Sequence, residues 1–398
     1  MAIPHPSARQ QSRWLKAGIA LLTGIFLGTA ASTVSYAQPQ RHADLIKGMN
    51  LVNPERLSAD QQNAMLDAMK AAGVKTIRCG ITPDDKGLDF AKRAAERGIK
   101  IDWIMGFGGY RPDAPTRAYQ PDKYPEMWGG HPLSAADPEQ FRAKYAPFLK
   151  RLEEAGIVLA SFEVGNEINW TAFNQDFPLP GKGKIFGLKD LYDDPEAKQV
   201  AEGFKVYIKI LSALKEIRDA STLNRKTPIL TAGLSAYDGP EGQLPNGYHY
   251  DSVSTNATLE YLRTLGLDDI VDEYAVHIYP SAVGGDSAAA NDKRKAFLDN
   301  YALNQCLSGN GKKKCAVTEW NFPQNNKSCP LDDTDHAKLV ADMTNMFQKY
   351  ADEGRVSSLY YFAWNDDAWS KNVTSASLFR CGALTESGKV FLDQSAGK

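Results

Sequence analysis

The sequence predicts a (β/α)8 barrel, and two observations lead to that prediction. Segments with the composition of β-strands alternate with helix-like segments along the 398-residue chain, which is typical of a parallel sheet covered by helices. Eight such units occur, the number that closes a barrel. An open doubly wound sheet is the alternative, but its first turn usually carries a glycine-rich motif, and the stretch from Asn50 to Pro54 contains no glycine.

Short runs rich in β-branched and aromatic residues define the strands. The predicted strands span 46–51, 75–79, 100–107, 158–166, 227–235, 270–279, 314–320 and 356–364. Amphipathic periodicity and end signals define the helices, with Ser58 as the first N-cap and Asp137 before Pro138 as the third. The predicted helices span 58–72, 87–97, 138–155, 195–220, 257–265, 291–305 and 335–353, followed by a short closing helix after Thr385.

The N-terminus is predicted to be a secretory signal peptide, residues 1–37. Positive charges precede an apolar run from Ala17 to Ala31, and small residues stand before Gln38, as at a signal peptidase site. Cleavage is expected after Ala37, which leaves residues 38–398 as one catalytic domain that is secreted or periplasmic. An uncleaved membrane anchor is the alternative, although the apolar run is short for a span of ~20 residues.

Composition excludes several classes of partner. The chain is 43% hydrophobic and 24% charged, with a net charge of −2, which is ordinary for a globular protein and unlike the basic balance of nucleic-acid binders. After the signal peptide no run is long and apolar enough to span a bilayer, so no membrane span is expected in the mature chain. No cofactor and no metal are predicted, because the cysteine spacings match no zinc-ligand pattern.

The five cysteines suit an oxidising compartment. Cys306 and Cys315 flank a loop-like sequence that a disulfide could close. Cys329 and Cys381 both fall in predicted loops after late strands and could form a second pair. Cys79 lies inside a predicted strand and is expected to be a buried thiol.

Polar residues gather where the predicted strands end, which is where function lies in barrels of this kind. Asn166 and Glu167 end the fourth strand, and Glu319 ends the seventh. These strands are not neighbours, so the two carboxylates are expected to face each other across the barrel mouth. Glycoside hydrolysis requires such a pair, one carboxyl to donate a proton and the other to attack the sugar or activate water.

The ordered set resembles clan A of the glycoside hydrolases, the "four/seven" retaining barrels. The matching positions are Arg78, Asn166, Glu167, His277, Tyr279, Glu319 and Trp364. The resemblance implies that Glu167 is the acid/base and Glu319 the nucleophile in double displacement on a carbohydrate substrate. It also implies that Asn166 hydrogen-bonds the sugar 2-hydroxyl and that Tyr279 contacts the nucleophile.

The remaining residues of the set have supporting roles. The resemblance implies that His277 and Arg78 tune the carboxylates, and that Trp364 places an aromatic face beneath the sugar being cleaved. Arg78 is expected to keep the nucleophile ionised, because a nearby cation favours the charged form of an acid. Trp170, in the loop after the fourth strand, either stacks on sugar in an outer subsite or packs within its loop.

The family within the clan is left open. Thr318 to Asn321 is similar to β-xylosidase-like and arabinofuranosidase-like families, whereas Gly165 to Ile168 is closer to the galactanase-like one. No particular sugar, linkage or endo/exo preference is therefore predicted beyond a poly- or oligosaccharide, expected to be β-linked. A non-catalytic carbohydrate-binding barrel is the alternative, and a metal-dependent barrel hydrolase ranks below it.

Overall fold

A computed structural model describes residues 42–236, 242–243, 249–307, 311–323, 332–364 and 376–394. The predicted signal peptide, 1–37, lies outside these ranges. Parallel strands pair in a closed ring, because the last strand bonds back to the first. The barrel strands are β1 Ile46–Asn50, β2 Thr76–Gly80, β3 Lys100–Met105, β4 Ser161–Val164, β5 Ile229–Leu230 continuing at Leu234–Ser235, β6 Glu273–Ile278, β7 Lys314–Trp320 and β8 Val356–Tyr361.

The prediction of a (β/α)8 barrel is confirmed, and β7 has the predicted bounds. The largest difference is at β5, which was predicted as one strand over 227–235. The observed strand is interrupted between Leu230 and Leu234. At the interruption, the Gly233 N–H donates to the Glu163 side chain, and the Gly233 carbonyl accepts from the Glu167 N–H. These bonds replace the regular hydrogen bonds between strands.

Helices cover the outside of the barrel and begin at the expected caps. They are α1 Ala59–Ala71, α2 Asp85–Glu96, α3 Pro138–Glu154, α4 Pro195–Asp219, α5 Thr255–Thr264, α6 Asn291–Phe297, α7 Thr334–Asp352 and α8 Glu386–Phe391, with a further turn at Asp190–Asp193. Ser58 and Gln61 form a capping box at α1, which satisfies two backbone N–H groups at that end. Asp137 accepts from the Glu139 N–H at the start of α3. The predicted helix over 291–305 is shorter and ends in a π-turn at Leu298–Ala302.

The apolar core lies between the strands and the helices. Trp103 on β3 is fully buried and packs edge-on against Tyr145 and Phe148 of α3. Its indole N–H donates to the Ile81 carbonyl at 3.1 Å. Because side chains alternate along a strand, the neighbours of such outward residues point into the barrel, and Asp102 beside Trp103 is fully buried. The barrel interior therefore contains a buried carboxyl group at this level.

The cysteine predictions are tested in part. Cys306 and Cys315 form a disulfide with Cα atoms 5.4 Å apart, which confirms that pair. Cys381 is also disulfide-bonded, whereas Cys329 lies outside the described residues. Cys79 is a buried free thiol, as expected. In the part of the chain that the structure describes, we find no helix with the length and apolar character needed to cross a membrane.

Candidate active site

Glu167 sits just beyond β4, at the carboxyl-end mouth of the barrel. Its backbone φ is 45°, a left-handed conformation that is uncommon for a residue with a side chain. The Glu167 N–H donates to the Gly233 carbonyl at 2.9 Å, which ties this turn to the interrupted fifth strand. The side chain is buried.

His277, at the end of β6, binds Glu167 directly. Its Nδ1 lies 2.8 Å from Glu167 Oε1, and its Nε2 lies 3.3 Å from Arg78 Nη2. Because the arginine can only donate, we infer that Nε2 accepts and that Nδ1 carries the proton given to Glu167. Burial lowers the pKa of His277, which keeps the ring neutral. Burial raises the pKa of Glu167 despite that hydrogen bond, and the nearby Glu319 charge adds to the rise.

Glu319 lies at the end of β7, where the pairing with its neighbours is irregular. The register shifts between Val276 and His277 on one side, and between Val317 and Trp320 on the other. Such bulges re-aim side chains, and here Glu319 reaches the barrel mouth. Arg78 Nη1 donates to its Oε1 at 2.7 Å. The Tyr279 hydroxyl donates to its Oε2 at 2.5 Å.

One further contact completes the surroundings of Glu319. His277 Nδ1 is 3.6 Å from Glu319 Oε2. Burial and the Glu319 carboxylate raise the pKa of Tyr279 well above its usual value, so the phenol stays protonated and acts as a donor. Both Glu319 oxygens therefore accept hydrogen bonds, one of them from a full positive charge.

Arg78 on β2 is the buried cation of the site. Its Nε and Nη2 donate to the two oxygens of Glu163 at 2.8 and 2.6 Å, a bidentate pair of the strong kind. Its Nη1 also donates to Asn50 Oδ1 at 2.9 Å, and its Nη2 to Asn166 Oδ1 at 3.0 Å. Burial is the largest single influence and opposes the charged form, but the acidic neighbours, Glu163 first and then Glu319, together outweigh it and raise the pKa of Arg78 well above its usual value.

The two candidate catalytic carboxylates are close together. One oxygen of Glu167, one oxygen of Glu319 and a ring nitrogen of His277 all lie within 4.8 Å of one another. Three such atoms could hold a metal ion. However, both Glu319 oxygens already accept from Arg78 and Tyr279, and an adjacent guanidinium opposes binding of a second cation.

The structure brings most of the predicted set into one network. Its members are Arg78, Asn166, Glu167, His277, Tyr279 and Glu319. Trp364 lies three residues beyond β8 and is almost fully buried, with one face stacked on Phe379 at 4.9 Å between ring centres. Trp170 packs edge-on against Tyr250. Their contacts with sugar stay predictions.

Three members of the network, Asn50, Glu163 and Gly233, are absent from the predicted set. Glu163 is fully buried on β4, and its Oε1 accepts from the Gly233 N–H at 2.8 Å. The two-residue alternation of β4 could have placed Glu163 inside the barrel, because Phe162 and Val164 on either side of it occupy the outward face. Gly233 carries no comparable sequence signal, since its role depends on residues distant in the chain.

The fold and this polar mouth define a (β/α)8 barrel with paired carboxylates, one just beyond β4 and one at the end of β7. No protein-family model matches the chain, and no curated protein matches its sequence. Solved structures match its fold. An AHE enzyme from Alicyclobacillus herbarius aligns with a TM-score of 0.53 and 12% identity, over 90% of this chain and 97% of that one.

Two solved β-glucuronidases are similar at the same level. The enzyme from Lactobacillus rhamnosus aligns with a TM-score of 0.50 and 14% identity, over 88% of this chain and 49% of that one. A calcium-binding mutant of β-glucuronidase 2 from Bacteroides uniformis aligns with a TM-score of 0.50 and 11% identity, over 84% and 32%. At these identities the likeness shows the barrel fold, which these glycosidases share with this chain.

Proposed function

We propose that this protein is a retaining glycoside hydrolase that cleaves β-linked O-glycosidic bonds of a poly- or oligosaccharide. The observation that carries the proposal is the pair Glu167 and Glu319, close together at the barrel mouth but in opposite environments. Burial raises the pKa of Glu167, which suits a proton donor. Glu319 accepts from Arg78 and Tyr279, which suits an ionised nucleophile.

In the first step Glu167 gives its proton to the glycosidic oxygen, while a Glu319 oxygen attacks the anomeric carbon. The bond from that carbon to the leaving oxygen breaks, and an ester between sugar and Glu319 forms. In the second step Glu167, now a carboxylate, takes a proton from water. The resulting hydroxide displaces Glu319 from the anomeric carbon, so the product keeps the original configuration.

The closeness of the two carboxyl groups is compatible with this route. Retaining enzymes hold their carboxyl groups about 5–5.5 Å apart, whereas inverting enzymes need about 6.5–9.5 Å to admit a water molecule. The oxygens of Glu167 and Glu319 that approach each other lie within 4.8 Å.

Asn166 and Trp364 complete the proposed subsite. Asn166 Oδ1 already accepts from Arg78, so the amide offers its Nδ2 hydrogens to the sugar 2-hydroxyl. Trp364 and Trp170 are proposed to contact sugar with an edge or the uncovered part of a ring, since Phe379 covers one face of Trp364.

The protein is proposed to act outside the cytoplasm. The signal peptide 1–37 is expected to direct export to the periplasm or the medium, with residues 38–398 as the mature catalytic domain. The Cys306–Cys315 disulfide supports an oxidising compartment.

The first test is product analysis on a panel of β-linked glycans, with the anomeric configuration of the first product followed by NMR. Retention is expected, and inversion would overturn the double-displacement route. Glu319→Ala is expected to abolish turnover, with Glu273→Gln as a matched control. Glu273 is also a barrel-strand carboxyl, but it bonds Ser357 outside the catalytic network.

Two further measurements separate the alternatives. An activated 2-deoxy-2-fluoro glycoside of the cleaved sugar is expected to label Glu319, and labelling of another residue would reassign the nucleophile. Binding of a glycan without cleavage of any member of the panel would favour a carbohydrate-binding barrel. Full activity in chelator is expected, because the proposed steps use only side chains and water.

A further inference from the structure

Glu163 lies beneath the proposed catalytic pair and has no place in the two-step chemistry. It is fully buried in the barrel interior. Both of its oxygens are used, Oε2 by Arg78 Nε and Oε1 by Arg78 Nη2 and the Gly233 N–H. Burying a carboxylate is costly unless such partners compensate it, so this residue type at this position needs a physical explanation.

The first link runs from Glu163 to the nucleophile. Because Glu163 takes Nε and Nη2 together, it fixes the plane of the Arg78 guanidinium. Within that plane Nη1 points to Glu319 Oε1 at 2.7 Å, and Nη2 also reaches Asn166 Oδ1 at 3.0 Å. Glu163 thereby sets the direction of the Arg78 N–H groups that donate to Glu319, the proposed nucleophile, and to Asn166, the amide proposed to bind sugar.

The second link runs from Glu163 to the acid/base. The Gly233 N–H donates to Glu163 at 2.8 Å, and the carbonyl of Gly233 accepts from the Glu167 N–H at 2.9 Å. Glu163 therefore anchors the peptide that holds Glu167 in its left-handed conformation.

A neighbouring carboxyl group, Asp102, does not help to orient Arg78. Asp102 pairs in register with Arg78 on the adjacent strand, yet neither of its oxygens accepts a hydrogen bond from the guanidinium. Burial raises the pKa of Asp102 to about 8, and the Glu163 charge adds to the rise. A neutral Asp102 does not draw the guanidinium away, so Glu163 is the carboxylate that orients Arg78 from below.

We propose that Glu163 is a positioning residue that aligns both catalytic carboxylates, Glu319 through Arg78 and Glu167 through Gly233. This inference rests on the proposed function, because it assigns Glu163 a role in the same reaction. Its loss should act on the transition state, since misplacement of a reacting group by ~1 Å can cost ~10²-fold in rate.

The test compares Glu163→Gln and Glu163→Asp with the control Glu273→Gln. Gln keeps the shape but replaces an acceptor with a donor facing Arg78. Asp keeps the charge, which protects folding, but is one methylene too short to reach both Arg78 and Gly233. The substrate is whichever aryl β-glycoside or β-linked oligosaccharide the wild type cleaves, and active sites are counted by titration with the fluorinated glycoside.

For each Glu163 variant, kcat per titrated site is expected to fall ~10²-fold with little change in KM, while the control keeps wild-type kinetics. A purely structural role would lower the number of titratable sites and leave kcat per site unchanged, which would overturn the proposal. Failure of the proposed function would appear separately, as undiminished turnover in Glu319→Ala.

A readout independent of turnover is the crystal structure of Glu163→Gln. Arg78 Nη1 is expected to have moved out of hydrogen-bond distance of Glu319. An unmoved guanidinium with an unmoved Glu167 backbone would show that Glu163 does not position either carboxylate.

Discussion

Gly233 is the position where the smallest change should most disturb the candidate site. A Cβ atom built on Gly233 would lie 2.0 Å from His277 Nε2 and 2.8 Å from Thr318 Oγ1. Ordinary contact begins at 3.4 Å, so in Gly233→Ala the imidazole must move by about 1.4 Å or the backbone must shift. The hydrogen bond of 2.8 Å between His277 and Glu167 does not survive a displacement of that size.

Two magnitudes follow from this clash. Forcing a methyl group into a packed interior costs about 1–3 kcal/mol, which lowers the melting temperature by a few degrees in a domain of this size. The displaced ring also removes the donor that orients Glu167, and errors of ~1 Å in an active site cost ~10²-fold in rate. We therefore expect a folded, slightly less stable protein with a large loss of kcat.

The assay measures thermal unfolding and kcat on the cleaved glycan for Gly233→Ala and a matched control, Gly80→Ala. Gly80 also lies on a barrel strand, but a Cβ there would approach nothing closer than the Ile104 carbonyl, at 3.8 Å. The control should keep its activity. Wild-type kcat and melting temperature in Gly233→Ala would refute the reasoning, because His277 would then have room that the structure does not provide.

Three further predictions concern pH and covalent stability. Because burial raises the pKa of Glu167 and the first step needs its proton, activity should fall with rising pH only above the range of an ordinary glutamic acid. Glu167→Gln should remove this alkaline fall in activity for substrates with activated leaving groups. An unchanged fall in Glu167→Gln would assign the titration to another group. The pKa of Asp102 is raised from 3.8 to about 8, so the folded state keeps this proton longer than the unfolded one. Stability should therefore decline between about pH 4 and pH 8, and denaturant titrations should show a smaller decline in Asp102→Asn; equal declines would contradict the assignment. Replacing Cys306 and Cys315 by serine should lower the free energy of unfolding by about 2–3 kcal/mol, as expected for a loop of this length, and an unchanged denaturation midpoint would show that the disulfide is dispensable.

The barrel itself could be predicted from local sequence. Alternating hydrophobicity, caps such as Ser58 and Asp137, and glycine stops are short-range signals, so the strand and helix segments follow from them within a few residues. The carboxyl ends of parallel strands meet on one face of a barrel, which is why Glu167 and Glu319 could be placed together before any coordinates were known.

Part of the site required tertiary structure because its contacts join residues far apart in the chain. Arg78 and Glu319 are separated by 241 residues, and Glu167 and His277 by 110. Only closure of the barrel brings Arg78 into contact with both Glu163 and Glu319. The interruption of β5 at Gly233 is likewise decided only by closure.

The environment of each group was likewise decided by packing. The sequence by itself determined which carboxyl groups reach the mouth of the barrel, since strand order and strand ends are local properties. It did not determine that Phe379 would cover one face of Trp364, or that burial would raise the pKa of Glu167. Those properties depend on the distance and dielectric surroundings of atoms from other strands, and these exist only once the chain has folded.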